Sequence, residues 1–489
     1  MSAENFNIFN FQDKKVKTLH LSWLAFFITF FMWFSHSSLM PLIVQTFSLT
    51  PAEAKALLFL NVALTIPSRT IVGMLVDKFG PRLMFSVLLV VSGGLCIGFS
   101  LAQSYEQLAA FRFLLGFAGA GFVIGIRLIT EWFPAKQAGT AQGVYGGWGN
   151  FGAAAAGFLL PALAAYFGDE GWRAAAGSAG VVSIFYAFIF YIFVRNTPQG
   201  STYFSPKKLG PMEVTSKGDL VLYIIMCIPM FIAMGVIAWR LSPAGVGLLN
   251  DTVTQGIWIG LSVWFAYQVV QIFKVNQENL SKGVAELHRY KFKQVALLNL
   301  AYMVTFGSEV AVVSMLPLYF IEVFDVSIAM AAAMASSFMA MNLIARPGGG
   351  YISDKVGRKR SLLITVMGSG IGYVGLSLVD SSWSIALTMV VVVFCSFFVQ
   401  AGAGATFGVV PTIKRRLTGQ IAGLTGAYGN VGAASFLLVY SLTDATTFFV
   451  VISVSCFVVF ALIKVFLEEP KGKIAEILPD GTVELISVD

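Results

Sequence analysis

One half of this chain repeats the other at a nearly constant offset. The segment Arg69 to Arg82 matches Arg346 to Lys359 at an offset of 277 residues. Leu39-Met40-Pro41-Leu42 matches Met315-Leu316-Pro317-Leu318, and Thr29-Phe30 matches Thr305-Phe306, both at 276. Gly143, Gly146, Gly149-Asn150 and Gly152 match Gly423, Gly426, Gly429-Asn430 and Gly432 at 280. Such self-similarity means one unit duplicated in parallel orientation. With 57% hydrophobic and 12% charged residues over 489 positions, the unit cannot be an ordinary soluble domain. Fourteen apolar runs long enough to span a bilayer fall between residues 19 and 467. The expected fold is an all-α polytopic membrane protein of two six-helix halves related by a pseudo-two-fold, enclosing a central site.

The pattern divides the chain into a polar segment 1–18, a six-helix half 19–195, an insert 196–290, a second half 291–468 and a polar tail 469–489. The insert carries two further apolar stretches, read as extra spanning helices; an even number leaves the second half's orientation unchanged. In the tail, Leu478-Pro479-Asp480-Gly481-Thr482 reads as a turn between short apolar runs. No cleavable signal peptide is expected. Lys14, Lys15, Lys17, Lys78, Arg82, Lys136, Lys355, Arg358, Lys359, Lys414, Arg415 and Arg416 fall on one side of the spans. Asp169, Glu170, Asp251, Glu322, Asp325, Asp380 and Asp444 fall on the other. Because cytoplasmic loops retain lysine and arginine, both termini are expected in the cytoplasm. The net charge of +7 is then a topological bias, not a nucleic-acid surface.

Arg69 and Arg346 each precede by eight residues an aspartate that opens a charged turn, Asp77 and Asp354. Eight residues of helix lift a side chain roughly 12 Å, close to the middle of a hydrocarbon layer about 30 Å thick. A permanent charge there costs about 2.5 to 3.5 kcal/mol even on lenient scales. One explanation is structural: an ion pair with a buried carboxylate, for which Glu309 is the obvious candidate, or snorkelling, which this depth disfavours. The other is a clamp. A guanidinium is a planar fork that matches a planar oxyanion through paired charge-assisted hydrogen bonds, so one arginine from each half can grip a small anion.

The glycine stripes Gly143, Gly146, Gly149, Gly152 and Gly423, Gly426, Gly429, Gly432 are explained by close helix packing alone. Asn150 and Asn430 are not, because a buried amide needs a partner. Phe122 and Phe407 stand beside glycine-rich turns in corresponding fourth spans and could flank a flat anion; core packing is the plainer account. Glu309, and secondly His36, could carry a proton; a salt bridge and a hydrogen-bonded core histidine are the structural alternatives. Arg127 and Glu131 are spaced to pair along one helix face. Cys96, Cys227, Cys395 and Cys456 lie in apolar runs without paired spacing, expected neither as disulfides nor as metal ligands. Three histidines and no nucleotide loop or metal-ligand cluster argue against an enzyme, a metal site or a cofactor.

The charged turns Asp77-Lys78-Phe79-Gly80-Pro81-Arg82 and Asp354-Lys355-Val356-Gly357-Arg358-Lys359, with Arg112-Phe113-Leu114-Leu115-Gly116-Phe117-Ala118-Gly119, resemble signatures of the major facilitator superfamily. Gly143-Val144-Tyr145-Gly146-Gly147-Trp148-Gly149-Asn150-Phe151-Gly152 and Gly423-Leu424-Thr425-Gly426-Ala427-Tyr428-Gly429-Asn430-Val431-Gly432 resemble the paired signatures of its nitrate/nitrite porter family, most closely the cyanobacterial permeases. The resemblance implies a nitrate or nitrite clamp at Arg69 and Arg346, an aromatic sandwich at Phe122 and Phe407, and further contacts from Asn150, Tyr302 and Phe306. It implies gating roles for Asp77, Arg82, Asp354 and Arg358. The inserted pair of spans departs from the family's twelve-span pattern. The expectation is a monomeric secondary transporter in the plasma (inner) membrane, importing nitrate and nitrite by alternating access with protons as coupling ion. Nitrate/nitrite exchange, a facilitator for another small anion, and a nitrate sensor are the rivals.

Overall fold

The computed structural model describes residues 7–206, 210–284, 289–469, 472–477 and 483–487. The first half comprises α1 (Lys14–Phe47), α2 (Pro51–Ala63), α3 (Thr65–Phe79), α4 (Pro81–Ser100), α5 (Tyr105–Leu114), α6 (Gly121–Trp132), α7 (Ala135–Phe167) and α8 (Gly171–Phe193). The insert holds α9 (Lys217–Leu241) and α10 (Asp251–Lys282). The second half comprises α11 (Phe292–Tyr302), α12 (Ser308–Phe324), α13 (Ile328–Ala340), α14 (Asn342–Val356), α15 (Arg358–Ser377), α16 (Ile385–Val409), α17 (Thr418–Leu442) and α18 (Ala445–Phe466). Among the described residues, eleven helical stretches are apolar and long enough to cross a bilayer. The expected fourteen are completed by α2 with α3, by α13 with α14, and by α15, which begins on Arg358-Lys359-Arg360.

The two composite spans break at Leu64 and Met341, five residues before each arginine and 277 residues apart. Pro67 explains the first break, since it has no N–H to offer the Ala63 carbonyl. Pro347 lies beyond the second break, and nothing local explains that one. Two other spans change pitch at the same depth: a 3-10 turn, Leu115–Ala120, joins α5 to α6, and a π-helical turn, Met303–Gly307, joins α11 to α12. Both irregular turns carry or adjoin residues of the central site. Gly80 and Gly357 take φ of 86° and 105° to end α3 and α14, a conformation that suits glycine.

The halves meet where α3 packs on α17 and α14 packs on α7. Glycine makes both crossings possible. A Cβ on Gly73 would strike the Gly419 carbonyl, and one on Gly350 the Gly139 carbonyl. The stripes of α7 and α17 do the same work toward the arginines: a Cβ on Gly143 would lie 2.6 Å from the Arg346 carbonyl, and one on Gly423 2.5 Å from that of Arg69.

The insert is joined to the core. The Tyr428 hydroxyl of α17 donates to the Met226 carbonyl of α9 at 2.7 Å, and the Thr70 hydroxyl of α3 meets the Met230 sulfur at 3.9 Å. α10 packs on α9 and leaves Val253, Ile259, Val263, Tyr267 and Val270 exposed, as a lipid-facing helix would. Beyond α18, Lys291 and Lys293 each bond Glu468 at 2.8 Å, and the Lys291 hydrogen bond leads in holding that carboxyl below the usual carboxylate range. Strands β1 (Lys473–Ile477) and β2 (Val483–Ser487) then pair antiparallel with Ile477 opposite Val483. The expected turn Leu478 to Thr482 lies outside the described residues. All four cysteines are buried and unpaired.

Substitution of Gly73 or Gly350 by alanine is expected to lower stability by about 1–3 kcal/mol, the usual cost of overpacking against atoms that cannot yield. Gly94, where a Cβ would meet nothing within 4 Å, supplies the control. Gly94→Ala is expected to be neutral or stabilising because alanine is the better helix former. Thermal unfolding of the three purified variants reads the opposite signs.

Candidate functional site

Arg69 and Arg346 are both fully or nearly fully buried, at 0% and 2% exposure. Their surroundings differ. Arg69 donates from Nε to the Gly119 carbonyl at 3.1 Å and from Nη1 to the Gly426 carbonyl at 2.7 Å. The first acceptor belongs to the 3-10 turn of its own half and the second to α17 of the other half. Among the described residues Arg69 has no carboxylate in ion-pair range. Arg346 donates from Nη2 to Glu309 Oε2 at 2.9 Å, while Glu309 Oε1 accepts from Asn342 Nδ2 at 2.8 Å. Each arginine keeps one buried nitrogen without a hydrogen-bond partner: Nη2 of Arg69, which carries two N–H groups, and Nε of Arg346, which carries one.

Aromatic rings from both halves fill the space between them. Phe122, Tyr302 and Phe306 stack nearly parallel, with centroids 6.0 Å and 5.0 Å apart and interplanar angles of 6° and 4°. The Arg69 guanidinium lies 5.7 Å from the Phe122 centroid and 5.2 Å from that of Phe306, and Arg346 lies 5.3 Å from Phe306. One ring thus faces both cations. Phe407 stands edge-on to Phe122 at 4.5 Å and to Tyr302 at 4.8 Å. Phe122 and Phe407 therefore touch, and a flat anion can lie between them only if the rings part. The stripe glycines let the helices approach: a Cβ on Gly146 would sit 3.6 Å from Arg346 Nη1, and one on Gly426 3.6 Å from Arg69 Nη1. Gly149 and Gly429 pack on Phe26 and on Tyr302 with Phe306, and Gly152 and Gly432 on the carbonyls of Phe27 and Met303.

Asn150 is 5% exposed, with neither amide atom partnered. It lines a cavity of about 50 Å³ with Phe306, Glu309 and Asn342, on the side of the arginines away from the chain's termini. Asn430 instead turns to its own helix and donates to the Gly426 carbonyl at 3.3 Å. His36 is buried beside Arg112 on α5, with its Nε2 2.9 Å from the Ser37 hydroxyl, and the fold does not bring it to the arginines. The three guanidinium nitrogens of Arg112 have no hydrogen-bond partner.

The charged turns bind the halves together on the face that holds both termini. Asp77 accepts from the backbone N–H of Gly419 at 2.9 Å and Gln420 at 2.8 Å, at the positive end of α17. Asp354 accepts from those of Gly139 at 3.0 Å and Thr140 at 2.6 Å near the start of α7. Arg358 bonds Asp354 and crosses to the Ala135 carbonyl. Arg82 does not cross; it donates to the Tyr191 carbonyl of its own half at 2.7 Å. The crossing on that side is made by Arg127, which pairs with Asp77 at 3.1 Å and Glu131 at 3.0 Å and donates to the Arg415 carbonyl. The insert supplies Tyr203, whose hydroxyl accepts from Arg127 Nε at 3.2 Å and donates to the Val76 carbonyl at 2.6 Å. Sequence reasoning missed Asn342 and Tyr203. Asn342 stood four residues before Arg346, one helical turn and so on its face; Tyr203 lies in irregular chain with no periodic signal.

Residues 22–437, and separately 298–484, match the family model of the Major Facilitator Superfamily. Over 476 residues the chain is 42% identical to the nitrate/nitrite transporter NrtP of Nostoc punctiforme, spanning 96% of this chain and 95% of that one. It is also 42% identical over 515 residues to the NrtP of a Picosynechococcus species, with 96% of each chain covered. Among solved structures, the proton:xylose symporter XylE bound to 6-bromo-6-deoxy-D-glucose superposes with a TM-score of 0.61 at 14% identity, over 93% of this chain and 96% of that one. At that identity the likeness is one of fold.

Removing one partner from a buried ion pair costs about 3–5 kcal/mol, so Asp77→Asn is expected to loosen the contact between α3 and α17. A cysteine placed at Ala422, buried one turn into α17, then reacts with a water-soluble maleimide about tenfold or more faster than in the Asp77 parent. Equal rates would refute the latch.

Proposed function

The chain belongs to the nitrate/nitrite porter family of the Major Facilitator Superfamily, and from that premise we propose that it imports nitrate and nitrite by gripping the anion between Arg69 and Arg346. It is a transporter, not an enzyme. The observation that carries the clamp is the unpartnered buried nitrogen on each arginine, one from each half, beside a stack of aromatic rings drawn from both halves. A small planar oxyanion accepts from both donors at once and lies against the ring faces. Phe122, Phe407, Tyr302 and Phe306 form its walls, and Asn150 meets it from the outer side.

Alternating access follows from rocking the halves about this point. The bonds of Asp77, Asp354, Arg127 and Arg358 close the face bearing both termini; the opposite state breaks them. Lysine and arginine bias supports a cytoplasmic position for that face in a plasma (inner) membrane, and the protein works as a monomer. Inward movement of a monovalent anion against a negative-inside potential costs about 2.3 kcal/mol per 100 mV, so import needs an accompanying cation. A proton on Glu309 answers that need better than one on His36, because Glu309 bonds Arg346 and lines the outer cavity, whereas His36 lies apart beside Arg112.

Lysine keeps the charge and loses the fork. Arg69→Lys and Arg346→Lys are each expected to lower nitrate uptake into proteoliposomes about ten- to a hundredfold, the worth of one charge-assisted hydrogen bond at about 1.5–3 kcal/mol. Uptake at the parental rate in both variants would refute the clamp.

A further inference from the structure

A cavity of about 570 Å³ lies on the face that holds both termini and shares no lining residue with the outer cavity of the central site. Helix ends frame it. Lys14, Lys17 and Leu21 stand on one face of α1, at its first two turns, while Trp132 is the last residue of α6 and Phe193 the last of α8. Phe11, just before α1, and Arg195, just beyond α8, complete the wall.

Three permanent cations, Lys14, Lys17 and Arg195, line this volume, and no carboxylate does. The acids nearest in sequence are already taken. Asp13 caps α1 and meets Lys15 at 3.6 Å, and Glu131 pairs with Arg127 at 3.0 Å. Elsewhere on the same face cations do meet acids: Arg416 bonds Glu213 at 2.7 Å, and Lys291 and Lys293 each bond Glu468 at 2.8 Å. Among the described residues Lys14, Lys17 and Arg195 make no ion pair. The bias of lysine and arginine toward one side of a membrane puts basic residues on this face; it does not require three of them to converge on one volume. The other polar groups of the wall are spent inside the protein. The Thr18 hydroxyl donates to the Lys14 carbonyl at 2.9 Å; His20 Nε2 donates to the Ile8 carbonyl at 2.7 Å, and its Nδ1 accepts from Trp23 Nε1 at 2.8 Å. What the cavity offers a ligand is therefore positive charge.

It also offers flat apolar surface. Phe11, Trp132 and Phe193 supply rings, and the Trp132 indole N–H donates to the Arg195 carbonyl at 3.0 Å, which fixes that residue's backbone beside the ring. Phe193 is 69% exposed and heads a stripe of α8 that continues through Phe185 at 67% and Val182 at 54%. The Tyr186 hydroxyl donates to the Leu21 carbonyl at 2.8 Å, so α8 and α1 are joined at this level. A small free anion would meet the cations and leave the rings bare. An anionic amphiphile answers both.

We infer that this cavity holds the phosphate group of an anionic phospholipid from the leaflet on that side, with an acyl chain lying along the α8 stripe. Lys14 and Lys17 act as point charges and Arg195 as a planar fork on two phosphate oxygens. Gln199, at the leading end of the insert, also lines the cavity, four residues before the Tyr203 that bonds Arg127. The lipid thus rests against the segment that carries the insert onto the contact between the halves.

The test is lipid retention by the full chain purified in detergent and offered equal amounts of phosphatidylglycerol and phosphatidylcholine, read by native mass spectrometry. At about 1 kcal/mol per basic residue, or about fivefold each, three cations give a preference for phosphatidylglycerol of about a hundredfold. Lys14→Gln combined with Arg195→Gln is expected to lower that preference about twenty-fivefold on the same scale. Leu21→Trp, which keeps every charge and fills the cavity, is expected to lose the preference as well. Equal retention of the two lipids by the parent overturns the inference, and so does a parental preference surviving in both variants. Should one variant elute as aggregate, the other variant and the parent decide. A further arm separates a lipid from a soluble phosphate: glycerol 3-phosphate at the lipid's concentration is expected to leave phosphatidylglycerol bound. Its displacement would assign the cavity to a free phosphate compound and overturn the lipid reading.

Discussion

Charge at the centre of an apolar layer is the constraint around which this molecule is arranged. Two guanidinium groups buried among apolar helices must be solvated by something other than water, and the fold meets that need in two ways. Arg69 is held by backbone carbonyls at the irregular 3-10 turn and in the glycine stripe of α17, and Arg346 by Glu309. Faces of Phe122 and Phe306 supply a further weak, diffuse solvation. The 3-10 turn beside Gly119 supplies one acceptor to Arg69 and the regular helix α17 the other, through Gly426.

The glycines follow from the same constraint. The halves meet along surfaces with little side chain between them, and carbonyls of Gly139, Gly419, Arg69 and Arg346 come close enough to a facing glycine that any Cβ would collide. Close backbone approach also brings Gly426 within reach of Arg69, so the stripe packs the helices and supplies a ligand at once.

Much of this was legible in the sequence because the chain states it twice. The duplication, the six-helix halves, the burial of the two arginines and the ion pair of Arg127 with Glu131 all follow from spacing. The two inserted helices and the tail hairpin were equally visible as apolar runs between turn residues. Other features depend on side chains meeting across long separations. Nothing in the spacing says that Arg127 instead of Arg82 bridges the halves, since each stands on a basic face with an acidic neighbour. Tyr203 comes from irregular chain, where no periodicity marks a facing direction. The edge contact of Phe122 with Phe407 is a matter of ring orientation, which composition does not encode. For His36 the sequence leaves a proton carrier and a hydrogen-bonded core histidine side by side, and the fold sets it next to Arg112 with its Nε2 2.9 Å from the Ser37 hydroxyl.

The two arginines will look very different to a geneticist. Arg346 leans on side chains, and lesions at Glu309 or Asn342 would reveal its surroundings. Arg69 leans on main-chain oxygens of Gly119 and Gly426, which no substitution removes, but a Cβ at either position would press on Thr65 or on Arg69 itself. A saturation scan would therefore mark one cation's neighbourhood by groups taken away and the other's by bulk put in. Equal importance would leave footprints of opposite kind.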